Sequence, residues 1–154
     1  MPETLVGGIS DTHGLLRAEA MAALAGSALI VHAGDVGRPE VLIQLATIAP
    51  VDAVRGNADG AWALELPACR VVEAGGARLY VLHDVTGGKA EPPPAGVHAV
   101  ISGHSHRASR ELRNGVLYLN PGSAGPRRFR LPVTLARLRV RDGRLDAEIV
   151  ELRV

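Results

Sequence analysis

The residues of this chain best suited to chemistry fall in five short groups, each placed directly after an apolar run. Leu5 to Ile9 leads into Asp11-Thr12-His13-Gly14, Ala28 to His32 into Gly34-Asp35, and Val51 to Arg55 into Gly56-Asn57-Ala58-Asp59. Ala77 to Leu82 leads into His83-Asp84, and Val97 to Ile101 into Gly103-His104-Ser105-His106. Carboxylate, amide and imidazole groups converging at one place suit a hard to borderline divalent metal such as manganese, iron, zinc or nickel.

Singly, these groups say little. Asp-x-His, Gly-Asp and Gly-Asn all suit ordinary turns, because Asp and Asn bond their own backbone and tolerate left-handed geometry. A lone His83 is more often a core histidine than a ligand. Gly-His-Ser-His is stronger, since two His at i and i+2 can face one centre from a loop. The ordered set of five, each after an apolar run, is what carries the reading. Four of the six His belong to it; His32 and His98 sit inside apolar runs and read as structural, with His32 near enough to assist.

Something must position these groups. The five runs are short and bounded by turn residues, so they read as buried strands. In α/β sheets, sites form outside the carboxyl ends of strands, where the groups lie. Leu15 to Leu24 and Val41 to Ile48 have helical periodicity, with Pro39 near a helix start and Pro50 after the second stretch. A β-α-β-α-β opening argues for parallel strands with covering helices. Beyond it, Arg70–Glu73, Ser109–Leu112, Val116–Leu119, Val133–Val140 and Leu145–Leu152 also read as strands. Gly75-Gly76, Asn114-Gly115 and Asp142-Gly143 supply turns between neighbouring runs. The expected architecture is two packed sheets, one partly parallel, with helices outside.

Composition bounds the rest. A chain of 154 residues is one domain, residues 1–154. Its core must be aliphatic, because aromatics are 3%. The single Cys69 excludes an internal disulfide and reads as a small buried hydrophobe. No apolar run approaches the roughly 18 residues of a membrane span. The N-terminus lacks the basic start of a secretory signal, so the cytoplasm is the expected compartment. Net charge is +1, yet residues 1–104 carry six basic and eleven acidic side chains, and residues 105–154 carry eleven and five. The arginines after 130 alternate with apolar residues, as on a solvated strand face, without interleaved aromatics. Nucleic acid binding is therefore not supported beyond a nucleotide-type substrate. Glu91-Pro92-Pro93-Pro94 reads as a short stiff loop. Arg55 is expected to pair with an acid.

The order Asp11-x-His13, Gly34-Asp35, Gly56-Asn57-x-Asp59, His83, Gly103-His104-x-His106 resembles the calcineurin-like metallophosphoesterases. With Asn120-Pro121-Gly122-Ser123 and Pro126-Arg127, it is similar to their small single-domain phosphodiesterases of the YfcE type. The resemblance implies an α/β fold: a four-layer α/β/β/α sandwich with two mixed sheets flanked by helices. It implies two divalent ions, manganese first, with iron, zinc, nickel or magnesium as alternatives. One ion would be held by Asp11, His13, Asp35 and His106, the other by Asp35, Asn57, His83 and His104, with Asp35 bridging. Hydrolysis of a small phosphate ester, most often a phosphodiester, would follow from attack by a hydroxide shared between the ions. Asp35, Asn57, Asp59 and His104 are the expected catalytic residues. Arg127, Ser123 and Trp62 are the expected substrate contacts, Trp62 by stacking on a base or aryl group. Other readings are a phosphomonoesterase acting on nucleotides or phosphoproteins, and a non-catalytic metal-binding scaffold, as in a retromer subunit of this fold. A homo-oligomer is compatible with all of them. The chain departs from the resemblance twice. Ala58 stands where many relatives carry a substrate-facing His, and Asp84 stands where the small branch carries Gly.

Overall fold

The apolar runs become strands of two mixed sheets. A computed structural model describes residues 2–86 and 93–154, so the Glu91–Pro94 loop lies partly outside the described residues. In chain order the elements are β1 (Thr4–Ile9), α1 (Ala18–Leu24), β2 (Leu29–His32), α2 (Pro39–Leu45), β3 (Val51–Ala53), a 3-10 helix (Ala61–Glu65), β4 (Cys69–Ala74) and β5 (Ala77–Leu82). They continue with β6 (Ala99–Ile101), β7 (Ser109–Arg113), β8 (Val116–Asn120), β9 (Thr134–Arg141) and β10 (Arg144–Glu151). The first sheet runs β10-β9-β1-β2-β3 and the second β4-β5-β6-β8-β7. β1, β2 and β3 are parallel neighbours, as are β5, β6 and β8; the outer strands join antiparallel. Each parallel trio brings three strand ends, and the loops after them, side by side.

Alternation along each strand separates two apolar clusters, since successive side chains point to opposite faces. Val6, Val31, Leu138 and Val140 face Leu79, Val81, Ile101 and Leu119 of the other sheet and form the core between the sheets. Ile9, Ile30 and Leu135 point the other way and pack against Leu24 of α1 and Val41 and Leu45 of α2. Burying such side chains stabilises by about 1.5–3 kcal/mol each. Both α-helices of the described residues thus cover the first sheet.

The three turn pairs behave as their composition requires. Gly75-Gly76, Asn114-Gly115 and Asp142-Gly143 all have both residues in the left-handed region, the geometry of tight hairpins whose twist matches the strands. The sheet edges are clasped across the sandwich. Arg70 of β4 pairs with Asp52 of β3 at 2.9 Å, and the Arg110 guanidinium of β7 donates to the Ala147 carbonyl of β10.

Three expectations change here. Both sheets, not one, are partly parallel, because β8 pairs with β6 while the edge strand β7 between them in sequence turns back antiparallel. Cys69 is exposed, because it opens the edge strand β4 and has no sheet neighbour on one side. Arg55 pairs with no acid among the described residues; its guanidinium donates to the carbonyls of Leu66 at 3.0 Å and Leu64 at 3.5 Å and so ties the 3-10 segment to the loop after β3. That 3-10 helix, Ala-Trp-Ala-Leu-Glu, is too short to show periodicity in the sequence. Among the described residues, no helix is long and apolar enough to cross a membrane.

Candidate metal centre and its surroundings

Two groups of side chains meet where the strand ends converge. In the first, ligand atoms of Asp11, His13 and His106 lie within 4.8 Å of one another; in the second, those of Asp35, His83 and His104 do. The groups adjoin. His13 Nε2 is 3.7 Å from Asp11 Oδ1 and 3.8 Å from Asp35 Oδ2, and His83 Nε2 is 3.9 and 3.1 Å from the same two atoms. His106 Nε2 lies 3.4 Å from Asp11 Oδ1 and 3.3 Å from His13 Nε2. Asn57, the seventh member, reaches in from the loop after β3, its Oδ1 3.1 Å from His104 Nδ1.

The two carboxylates are fixed by their outer oxygens. Asp11 Oδ2 accepts from the Ser10 hydroxyl at 2.7 Å and the His104 backbone N–H at 3.0 Å. Asp35 Oδ1 accepts from the Ala58 N–H at 2.8 Å. His83 donates from Nδ1 to the Ala33 carbonyl at 2.8 Å, which turns Nε2 toward the carboxylates. Left over in the shared space are Asp11 Oδ1 and His83 Nε2, 3.9 Å apart, both buried without a hydrogen bond of good geometry. Buried polar atoms are otherwise almost always paired. Unpaired carboxylate and imidazole atoms around one space are the donor set a divalent metal needs, so the residues fit such an ion.

The electrostatics agree. Burial opposes the charged form of Asp35, but the facing His83 and the Ala58 N–H outweigh it and hold the carboxyl below its usual pKa. Burial also opposes a charged His83, yet Asp35, the Ala33 carbonyl and Asp11 raise it above the usual value. Burial is the largest influence on His106 and pushes it down, with His13 and Arg128 adding to the effect.

The backbone is shaped for these positions. Asp11, His13, Asp35, His104 and His106 all have positive φ, and they are five of the nine non-glycine residues in that region among those described. Such conformations cost of order 1 kcal/mol each and persist only where the surroundings enforce them. Two glycines make room for the carboxylates. A Cβ on Gly56 would stand 2.2 Å from Asp35 Oδ1, and one on Gly103 would stand 2.5 Å from Asp11 Oδ2.

Behind the ligands, His32 is fully buried and neutral. The Gly34 N–H donates to Nδ1 at 3.1 Å, so Nε2 carries the proton and donates to Thr12 Oγ1 at 3.0 Å; that hydroxyl donates to the Val36 carbonyl at 2.8 Å. Burial drives its pKa down to about 3. His98 accepts the Arg78 N–H at 2.9 Å, away from the ligands.

Other expected site residues stand elsewhere. Asp59 accepts backbone N–H groups from Gly37 and Gly56, both at 2.9 Å, so its carboxylate ties two ligand loops together. Ser123 is buried and donates to the Asp11 carbonyl at 2.9 Å, holding the ligand loop and not facing solvent. Trp62 is partly buried and packs against the apolar cluster beneath α1 and α2. Arg127 is exposed and lines a surface hollow with Glu151 and Arg153, whereas its neighbour Arg128 is the arginine whose charge reaches His106. Arg38 was not singled out in the sequence. It follows the Gly34-Asp35 turn by three residues, and its Nε would be 3.1 Å from a Cβ on Gly14. Asp84 faces His104, with Oδ2 at 3.7 Å from Nε2. Burial works against its charge, but the Thr86 hydrogen bonds and His104 hold its carboxyl below the usual pKa.

Fold and site together define a class: two-sheet α/β proteins whose strand-end loops present adjoining carboxylate–imidazole groups to divalent metal. The chain belongs to the calcineurin-like phosphoesterase superfamily, whose domain model matches residues 5–143. It is 36% identical to a probable metallophosphoesterase of Methanothermobacter thermautotrophicus, over 95% of this chain and 91% of that one. An archaeal phosphodiesterase superposes with a TM-score of 0.75 at 20% identity, covering 96% of this chain and all of that one. Vps29 of Entamoeba histolytica, solved with zinc, superposes with a TM-score of 0.74 at 21% identity, covering 97% and 100%.

Proposed function

We propose that this protein is a metal-dependent phosphodiesterase with a dinuclear centre. The observation that carries this reading is the pair of adjoining groups with Asp35 between them, its Oδ2 3.1 Å from His83 and 3.8 Å from His13. When bound, two divalent ions acidify a water and neutralise charge on a reacting phosphate. Asp11, His13 and His106 would hold one ion, Asn57, His83 and His104 the other, with Asp35 shared. Manganese remains the first choice for both.

The chain's own residues explain why a diester with a good leaving group suits this site. A leaving oxygen needs a proton, and position 58 offers only a methyl group. The nearby acids and bases do not replace it. Asp59 has both oxygens on backbone N–H groups, His32 is sealed in the core without a charge, and Asp84 is held ionised. Arg128 and Arg38 lie on the His106 and His13 side, where they favour an anionic ester.

Metal analysis alone does not separate this reading from a scaffold, because a Vps29 also takes zinc. The test is hydrolysis of bis-nitrophenyl phosphate against nitrophenyl and alkyl phosphomonoesters, with each metal in turn. The diester is cleaved fastest if the reading holds. Two bound ions with no hydrolysis of any ester would make the protein a binding module.

A further inference from the structure

Two histidines of the centre share one short loop but serve different groups. His106 belongs with Asp11 and His13, and His104 with Asp35 and His83. Both have positive φ, 74° for His104 and 62° for His106, so the surroundings must hold the loop in that shape. Asn120, the last residue of β8, is buried against it. Its Nδ2 donates to the Gly103 carbonyl at 3.0 Å and to Ser105 Oγ at 3.1 Å. Gly103 stands directly before His104, and Ser105 stands between the two histidines.

The amide is fixed in the orientation these bonds need. Pro121 has no N–H, so the first backbone donor after Asn120 is Gly122, whose N–H reaches Asn120 Oδ1 at 2.9 Å. With the oxygen so occupied, the NH2 group faces the two acceptors. A carboxylate of the same shape could accept from Gly122 but could not donate to Gly103. Strand pairing ends just before this point. The Ser102 N–H donates to the Leu119 carbonyl at 3.0 Å, and past that rung the Asn120 side chain takes over from the backbone. The turn is itself anchored, since Thr134 Oγ1 donates to the Pro121 carbonyl at 2.7 Å. Three residues on, Ser123 holds the Asp11 carbonyl, so one turn braces both ligand loops.

We infer that Asn120 is a positioning residue shared by both metal groups: its amide holds the 103–106 loop so that His104 serves one ion and His106 the other. The inference rests on the proposal that both groups hold ions. Asn120 is not a ligand itself, because both ends of its amide are spent on the backbone and on Ser105.

The test uses zinc titration by calorimetry and, without metal, NMR couplings that report φ. Asn120→Asp keeps the size and the bond from Gly122 but loses both donated bonds. Supporting hydrogen bonds around metal ligands are worth about 10–100-fold in affinity, so Asn120→Asp is expected to weaken both zinc-binding steps by about tenfold or more. Asn120→Ala, which adds no charge, is expected to do the same. Ser105→Ala removes only one of the two bonds and is expected to weaken the same two steps less. In the metal-free natural chain His104 and His106 keep positive φ, and in Asn120→Asp their couplings average toward other conformations. A variant that melts earlier yet binds both zinc ions as before would overturn the inference, as would weakening of a single step. Should neither Asn120 variant fold, unchanged zinc affinities in Ser105→Ala overturn it. If the natural chain binds fewer than two ions, the dinuclear reading falls. The couplings then still decide the role of Asn120, and unaltered values for both histidines in Asn120→Asp overturn it.

Discussion

The two halves of the centre are built differently. Asp11 and His106 are buried, and the first is anchored by Ser10 and by the backbone of His104. The Asp11 loop is further braced by Ser123 from the segment after β8 and, through Thr12, by His32. In the second half Asp35 and His83 are buried, but His104 and Asn57 are exposed and come from separate loops. Arginine lies near the first half and the carboxylate of Asp84 beside the second. One half is therefore a preset cradle, and the other is the side more open to solvent. An ion in the first should exchange slowly, and an ion in the second should exchange faster.

Asp35→Asn is the change that erases the distinction. It faces both groups, so both ions are lost and hydrolysis falls to the level of the metal-free protein; elemental analysis and a nitrophenol assay check this. His104→Ala should instead remove only the faster-exchanging ion. A second experiment addresses the missing proton donor on the open side. General acid help is typically worth about 10²–10⁴-fold. The log rate should therefore depend steeply on leaving-group pKa, and Ala58→His should flatten the plot by accelerating alkyl esters most. A flat plot for the natural chain would mean that another acid already serves.

The braced half makes its own prediction through pH. Native His32 stays neutral down to about 3, while the unfolded chain protonates it near its ordinary 6.5. Between these values the unfolded state binds more protons, so stability is full above 6.5 and declines as pH falls toward 3. Asp35, whose carboxyl is held below its usual value, adds loss in the acid range. His32→Gln should cost about 1–3 kcal/mol at neutral pH through broken buried hydrogen bonds, and should flatten the decline of the metal-free protein between pH 6.5 and 4. Thermal melts across pH measure both. The smallest effect concerns the arginines. Arg128→Ala should raise KM for diesters by no more than about 1 kcal/mol, roughly fivefold, and Arg127→Ala should change it less than about twofold.

The strands and the gathering of ligand groups could be read from the chain because short apolar runs, turn pairs and strand-end polar residues are local signals, whereas the order of strands within each sheet could not. The helix over α1 begins at Ala18 and not at Leu15, since Leu15 and Leu16 remain in the loop that carries Asp11 and His13. What escaped was the partner of each side chain. Asp59 looked like a site carboxylate because it follows Asn57 by two residues, yet its oxygens meet two backbone N–H groups, one of them 22 residues away in sequence. Trp62 was expected beside the cleft because it lies just beyond the Gly-Asn loop, and the 3-10 turn that carries it packs it, partly buried, against the helix layer. Arg127 and Arg128 are adjacent and identical in type, and only the path of the chain after Gly125 decides which one nears His106. Asp84 was visible as a departure from the resemblance, while its pairing with His104 needed the loops after β5 and β6 in place.

The left-handed backbone at five of the ligands bears on how such a protein could lose its chemistry. Asp, His and Asn are the side chains that tolerate this conformation best after glycine. An Asp→Asn or His→Asn replacement at position 11, 13, 35, 104 or 106 would thus keep the turn while discarding a charge or a nitrogen that a metal needs. The step from a hydrolase to a silent module with the same surface is then short and demands no rebuilding of loops. A survey of single substitutions, scored for folding yield and for bound metal, should find these five positions to be the ones where the two scores part most widely.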